Sequence, residues 1–219
     1  MSLDRIQAQH LHVLRLKLGD PLEVVLPSGG WHADLVEANR ELAVARLVAP
    51  LEEAREAPIP IQAWLPITAQ LSLVDEMLPP LVELGAASLQ PVIYARSEYD
   101  ARKTLARIDR WQRIVRTACE QSHRTCIPEL GQPLPFEALL AVDLPQKWVA
   151  YERQTDARNP LLERHAIAFT SGPEGGITDL EFAALRKTGW VAVSLGLGIL
   201  RAVTAPVALL GAIQQQLGR

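Results

Sequence analysis

Residues 166–210 constrain the fold of this chain more than any other stretch. An apolar run (166–169) leads into a turn carrying Gly172, Gly175 and Gly176; a helix follows, and a second apolar run (190–195) leads into another glycine turn. Thr178 followed three residues later by Glu181 is a capping box, in which each side chain satisfies a backbone N–H at the helix start, and Gly189 stands where a helix closes in the left-handed conformation. These signals predict a helix over 179–188. Thr204, with Pro206 in the first turn and then Val207, Leu209, Leu210 and Ile213, predicts the capped start of a last helix. The resulting strand, loop, helix, strand, loop, helix unit sends two loops from the carboxyl ends of neighbouring strands, where open α/β sheets bind ligands.

The rest of the chain can supply a core around that unit. Its 219 residues suit one or two domains, and 48% of them are apolar. A formal net charge of −3 means that a nucleic-acid partner has to be held by a local basic patch and not by the charge of the whole molecule. Cys119 and Cys126 have no paired spacing elsewhere and read as reduced thiols. His10, His12, His32, His123 and His165 lack ligand spacing as well, so no metal is expected. No apolar run approaches the roughly 18 residues of a membrane span, and the amino terminus carries no secretion pattern. A soluble, cytoplasmic protein with no membrane partner is expected.

Upstream, short segments of alternating polarity at 10–16, 22–26, 31–36 and 42–48 predict the strands of a small β-barrel domain, with Pro27, Ser28, Gly29 and Gly30 as a hairpin turn. Residues 51–60, which hold Glu52, Glu53, Glu56 and two prolines, read as a linker. From Ile59 the grammar changes to strands at 59–65, 88–94, 148–151 and 166–169, alternating with helices at 71–84 and 103–122. Pro79 and Pro80 are expected to break or kink the first of these helices, and Gly85 to end it. Leu105, Ile108, Ile114, Val115, Ala118 and Cys119 form an apolar stripe on the second. Such alternation predicts an α/β domain with a mostly parallel sheet covered on both faces.

Two motifs invite a functional reading. The run from Gly196 through Gly198 to Arg201 approaches a dinucleotide fingerprint, but an arginine replaces the third glycine and the run lies far from a first βα unit, so a nicotinamide cofactor is rejected. Residues 171–176, taken alone, read as a tight turn that needs glycine for positive φ. The duplication of that turn on consecutive strands is what points to a ligand.

Gly172-Pro173-Glu174-Gly175-Gly176, then Ser194-Leu195-Gly196, Ile199-Leu200-Arg201 and Thr204-Ala205, resemble in order and spacing the carboxyl-terminal signature of the RsmE family of SPOUT RNA methyltransferases. Further blocks are similar to the family's central helix and its exit (Arg110 to Ile114, Glu120 to Ser122, Arg124, Pro128), to its first βα elements (Glu83 to Gly85, Arg96 to Glu98) and to its barrel (His12 to Leu16). The resemblance covers nearly the whole chain. It implies a PUA-like β-barrel RNA-binding domain over 1–57 and an α/β SPOUT methyltransferase domain over 58–219, whose segment at about 148–210 forms a deep trefoil knot, a rare exception to chain-threading rules.

The same resemblance implies S-adenosylmethionine as methyl donor, a homodimer with the donor site near the subunit interface, and methylation of N3 of a uridine in small-subunit (16S) ribosomal RNA. Carried onto this chain, the donor pocket is lined by Thr170, Ser171, Gly172, Pro173, Glu174, Gly175 and Gly176 on one side and by Leu195, Gly196, Ile199 and Leu200 on the other. Glycines admit backbone groups to the adenine edge, and Ile199 and Leu200 offer its faces an apolar wall. Arg201 is placed to stabilise charge developing on a uracil oxygen, with an ion pair to Glu174 as the structural alternative. Arg15, Arg96, Arg110, Arg113 and Arg124 are the candidate RNA contacts; Arg107, Arg110, Arg113 and Arg116, three apart, form a ridge along one helix that suits phosphates or, alternatively, a solvated face balanced by Asp109 and Glu120. Gly198 and Val203 stand where the family usually has arginine and glutamate, the family's Lys-Gly after Pro66 and a basic residue near Pro79 and Pro80 are missing, and Tyr151-Glu152-Arg153 lacks its usual His-Pro. These departures leave two alternatives: a catalytically impaired RNA-binding module on the same fold, or a methyltransferase acting on another RNA.

Overall fold

The computed structural model describes every residue except 27–28, 40, 52–54, 154–159, 197 and 219, together with all side chains of the described elements other than that of Ile6. The predicted turn residues Pro27 and Ser28, the linker residues Glu52 and Glu53, and Leu197 of the second glycine turn therefore lie outside the described residues. The chain forms two compact units, Met1–Glu56 with His123–Ile127, and Ala57–Ser122 with Pro128–Arg219.

The first unit contains β1 (Ser2–Leu3), α1 (Arg5–Val13), β2 (Pro21–Leu26), β3 (Gly29–Ala38) and β4 (Ala43–Pro50). Its strands pair antiparallel in the order β1-β4-β3-β2. Alternate residues point inward, so that Val24, Ala33, Leu35, Ala43 and Ala45 meet Ala8 and Leu11 of the helix in one core. The helix corrects the expected strand at 10–16. Asp4 accepts from the Gln7 N–H, and the Gln7 side chain accepts from the Asp4 N–H, which is a capping box written with Asp and Gln. Ala8 and Leu11, three residues apart, then share the face that packs, and the alternation at 10–16 is incidental.

Glu56 does more than link. Its carboxylate accepts from Arg124 Nε at 3.0 Å, from Arg124 Nη2, from the Thr125 and Cys126 N–H groups at 3.0 and 2.9 Å, and from Thr125 Oγ1 at 3.2 Å. Burial alone pushes this carboxyl up, but the Arg124 hydrogen bond and charge, with the two backbone N–H groups, hold it below the usual carboxylate range. Arg124 is only 4% exposed. Its expected role as an RNA contact is therefore corrected: the guanidinium is buried on Glu56 and fastens residues 123–127 into the first unit.

The second unit runs β5 (Ile61–Pro66), α2 (Leu71–Glu83), β6 (Ser88–Ile93), α3 (Ala101–Leu105), α4 (Ile108–Gln121), β7 (Glu129–Leu130), β8 (Leu134–Pro135), α5 (Glu137–Leu140), β9 (Gln146–Ala150), β10 (Ile167–Ser171), α6 (Asp179–Lys187), β11 (Val191–Val193) and α7 (Thr204–Gln216). Its strands pair parallel in the order β11-β9-β10-β5-β6-β7, with β8 also on β6. Both faces are covered. Trp148, Ala150, Ile167 and Phe169 face a core shared with α2, α4 and α7, while the intervening Val149 and Ala168 face a second core shared with α5 and α6.

Two helix expectations change. The α2 helix continues through Pro79 and Pro80. An interior proline costs about 3 kcal/mol, but Leu71, Val74, Met77, Leu78, Leu81 and Val82 are all buried, and burial of each such side chain contributes roughly 1.5–3 kcal/mol, so packing wins. The predicted 103–122 helix is two helices with a break at Ala106 and Arg107. Asp100 caps α3 by accepting from the Lys103 N–H at 2.8 Å, and Leu105 turns outward at 46% exposed. The centre of the α4 stripe is Trp111, fully buried, whose Nε1 donates to Asp75 at 2.8 Å. Thr204 is the first residue inside α7 and not its cap; Val203 holds the cap position without a side-chain bond.

Candidate functional site

The strand order decides which loops meet. Because β9 lies between β11 and β10, the carboxyl edge of the sheet presents three neighbouring loops: Gly172 onward after β10, Ser194 onward after β11, and Tyr151 to Arg153 after β9. Together with Leu73 and Glu76 of α2, Arg96 beyond β6 and Ala205 of α7, they line a cavity of about 670 Å³. The sequence identifies the two outer loops. The middle one has no glycine signature, and its place between the other two follows from the pairing order.

The first wall is tightly built. A Cβ on Gly172 would stand 2.9 Å from Ile177 Cγ1 and 3.0 Å from the Ile177 nitrogen, and one on Gly175 would stand 3.0 Å from Arg96 Cβ. Gly176 has φ +73°, which favours glycine, and its N–H donates to the Pro173 carbonyl at 2.8 Å. Arg96 Nη1 donates to the Gly175 carbonyl at 2.6 Å, and Glu174 Oε2 accepts from the Ala69 N–H at 2.9 Å. Ser171 is 2% exposed, and its hydroxyl has no hydrogen-bond partner among the described residues.

Thr170, expected beside them, does not line the cavity. It is fully buried beneath the wall, where its hydroxyl donates to the Trp64 carbonyl at 2.8 Å and meets the Tyr94 hydroxyl at 2.7 Å. Burial pushes the Tyr94 phenol far above its ordinary value, so it stays protonated and serves as a donor to Thr170.

Glu181 holds this wall from behind. One carboxylate oxygen accepts from Thr178 N–H and Oγ1 at 2.9 and 2.8 Å, completing the predicted capping box, and the other accepts from the Ala95 N–H at 2.7 Å. The helix cap thus also fixes the residue before Arg96.

The second wall is open. Gly196 has φ +119°, and a Cβ on it or on Gly198 would meet nothing within 4 Å. Ile199 is 85% exposed, Leu195 and Leu200 are half-buried. The Arg201 carbonyl accepts from the Thr204 and Ala205 N–H groups at 2.9 and 3.0 Å, which ties this wall to the first turn of α7. Its guanidinium is exposed and has no ion pair among the described residues. The alternative pairing with Glu174 is not formed among the described residues, and Glu174 Oε2 instead accepts from the Ala69 N–H.

The middle loop is anchored on α6. Tyr151 stacks on Phe182 with ring centroids 3.7 Å apart and planes 8° apart, and Asp179 Oδ1 accepts from Tyr151 OH at 3.4 Å and from Arg153 Nη1 at 2.7 Å. Burial pushes the Tyr151 phenol up; Arg153 opposes this and the Asp179 and Glu152 charges add to it. Between these anchored residues, Glu152 places Oε1 3.1 Å from where a Gly176 Cβ would stand.

The basic residues separate by environment. Arg96 belongs to the cavity wall. Arg110 Nε is paired with Asp75 at 2.8 Å with its side chain 54% exposed, Arg113 is exposed with Nε donating to the Asp109 carbonyl at 3.2 Å, and Arg15 is exposed at φ +57° after α1. No group of metal-ligating side chains occurs among the described residues, and no described helix is long and apolar enough to cross a membrane.

A parallel sheet with a glycine-walled cavity at its carboxyl edge defines the class, and residues 55–214 match the RNA methyltransferase domain family. The chain is 33% identical over 223 residues to the ribosomal RNA small subunit methyltransferase E of Synechocystis sp., covering 97% of this chain and 72% of that one. The crystal structure of the Neisseria gonorrhoeae ribosomal RNA small subunit methyltransferase E, bound to S-adenosyl methionine, is similar with TM-score 0.84 and 30% identity over 98% of this chain and 91% of that one. A putative methyltransferase of Legionella pneumophila, in complex with bound SAM, gives TM-score 0.86 and 26% identity over 98% and 91%. The chain belongs to the ribosomal RNA small subunit methyltransferase E family, and its fold is the expected SPOUT-type α/β domain together with a small antiparallel β domain.

Proposed function

We propose that the protein methylates N3 of a uridine in 16S ribosomal RNA with S-adenosylmethionine as donor. The observation that carries this reading is the cavity where the loops of β9, β10 and β11 converge, in a chain of this family. Its volume of about 670 Å³ suits a cofactor-sized ligand, for which pockets of roughly 300–1,000 Å³ are usual. The residues fit the donor: the unpartnered Ser171 hydroxyl and the glycine backbone offer polar contacts, and Leu195, Ile199 and Leu200 offer apolar cover. Ser171 to Gly176, Leu195, Gly196, Ile199 and Leu200 would hold it, with Thr170 supporting from below.

When bound, the donor supplies an electrophilic methyl group, so the protein's task is placement of the acceptor nitrogen and stabilisation of charge. Arg201, exposed at the cavity and without an ion-pair partner among the described residues, stabilises the oxygen of the uracil ring as its imide loses a proton. Arg15, Arg113 and the exposed part of Arg110 are assigned to phosphates. The reading further includes residues 1–57 as a PUA-like RNA-binding domain, residues 58–219 as the methyltransferase domain, a homodimer and a cytoplasmic location.

Incubation with donor and small ribosomal subunits lacking the mark is expected to produce a reverse-transcription stop, because an N3 methyl blocks pairing. Donor binding without any stop refutes the reading. Gly198, which has no side chain to offer at the open wall, favours the second reading, an RNA-binding module without turnover; calorimetry then shows no S-adenosylmethionine binding. A stop in another RNA and none in the small subunit selects the third, a methyltransferase acting on that RNA.

A further inference from the structure

We propose that Glu152 is the proton acceptor of this reaction, taking the N3 proton of the target uridine as the methyl group is transferred. The inference rests on the methyltransferase reading above.

Its basis is position. The middle strand β9 delivers Glu152 between the two glycine walls, and the residues on either side of it are fastened to α6: Tyr151 by its stack on Phe182 and its bond to Asp179, Arg153 by its ion pair with Asp179. The backbone at Glu152 is thereby held, and the carboxylate is directed at Gly176, in the cavity. Three glutamates line that cavity, Glu76, Glu152 and Glu174. Glu174 is engaged by the Ala69 N–H. Glu76 reaches the cavity from α2 and not from the loops that follow β9, β10 and β11. Glu152 makes no hydrogen bond among the described residues, so its lone pairs are available.

The chemistry requires such a group. The imide N3–H is a weak acid, and nitrogen cannot keep that proton once it carries a methyl group in the neutral product. As the N–H bond breaks, its electron pair stays on N3 and forms the N–CH3 bond, the C–S bond of the donor breaks with its pair left on sulfur, and the proton passes to a Glu152 carboxylate oxygen and from there to water. Arg201, on the opposite wall, offsets the negative charge that reaches the uracil oxygen while the proton leaves.

The test combines Glu152→Gln with a change in the acidity of the substrate. In single-turnover assays on unmarked small subunits, Glu152→Gln is expected to be about 10²-fold slower than the parent, the range for loss of a general base. Calorimetric S-adenosylmethionine affinity is expected to stay within about twofold of the parent, and the thermal unfolding midpoint to be unchanged. On subunits carrying 5-fluorouridine, whose N3–H is more acidic, the deficit is expected to shrink below about tenfold, since a better acid needs the base less. An equal deficit on both substrates, or a loss of donor affinity that matches the loss of rate, overturns the proposal. A parent protein that binds donor yet methylates neither substrate overturns the methyltransferase reading itself, a result distinguishable from a defect confined to the variant.

Discussion

The two glycine walls of the cavity differ in why they contain glycine. In the first, Gly172 and Gly175 are required by neighbours, since a Cβ would press on Ile177 or on Arg96, and Gly176 is required by its positive φ. Arg96, Glu174 and Glu181 then fix that loop through bonds to Gly175, Ala69 and Ala95. In the second wall Gly196 is required by φ alone, and Gly198 by neither φ nor space. The same residue letter therefore records two different physical needs, and at Gly198 neither of them. One wall arrives preorganised, which lowers the ordering cost of binding; the other is shaped chiefly at its ends, where Ser194 Oγ donates to the Gly196 carbonyl at 3.5 Å and the Arg201 carbonyl starts α7.

Substitutions at the walls test that contrast. The largest effect is expected at the open wall's far end: Arg201→Ala should lower turnover about 10²-fold while leaving calorimetric donor affinity unchanged, as for loss of one charge-stabilising group. A matching loss of affinity would make Arg201 part of the donor wall and weaken the division. Next comes Gly172→Ala, where the added methyl meets Ile177 side chain and backbone. Overpacking of this kind costs about 2 kcal/mol, or about thirtyfold in donor affinity if the strain is confined to the bound loop, read by calorimetry alongside thermal unfolding. Gly196→Ala has room for its methyl but not the backbone conformation, so strain of about 1 kcal/mol and a donor affinity weakened about fivefold are expected. A Gly196 effect larger than that of Gly172 would reverse the assignment of the two walls.

What the sequence discloses follows from how local each determinant is. The capping box of Thr178 and Glu181, the glycines at 85 and 189 and the strand positions around them are legible because their causes lie within a few residues. The second oxygen of Glu181 is not, since its partner Ala95 is 86 residues away. Nor is the anchoring of Arg124 by Glu56, 68 residues apart, which turns a presumed surface cation into a buried one. The strand order is the most consequential hidden fact. Which strand pairs with which is chosen by packing on both faces, and it is this choice that sets Glu152 between two loops the sequence had already marked. The difference at α1 has the opposite origin: its signal is local, but Asp4 and Gln7 are the less common spelling of a capping box, and the alternation downstream masks it.

The smallest effect is expected at Gly198. Its backbone is not in the left-handed region and a methyl would meet nothing, so Gly198→Ala is predicted to change unfolding and donor affinity by no more than ~0.5 kcal/mol. The value of the measurement lies in that floor. If the contrast between the walls is one of packing, Gly172→Ala and Gly198→Ala must differ by more than about tenfold in affinity. If instead Gly198→Ala costs as much, while its unfolding is unchanged, then a bound molecule approaches the open wall as closely as Ile177 approaches the first. Gly198 would in that case be a glycine required by the ligand, a third need that the protein alone does not display.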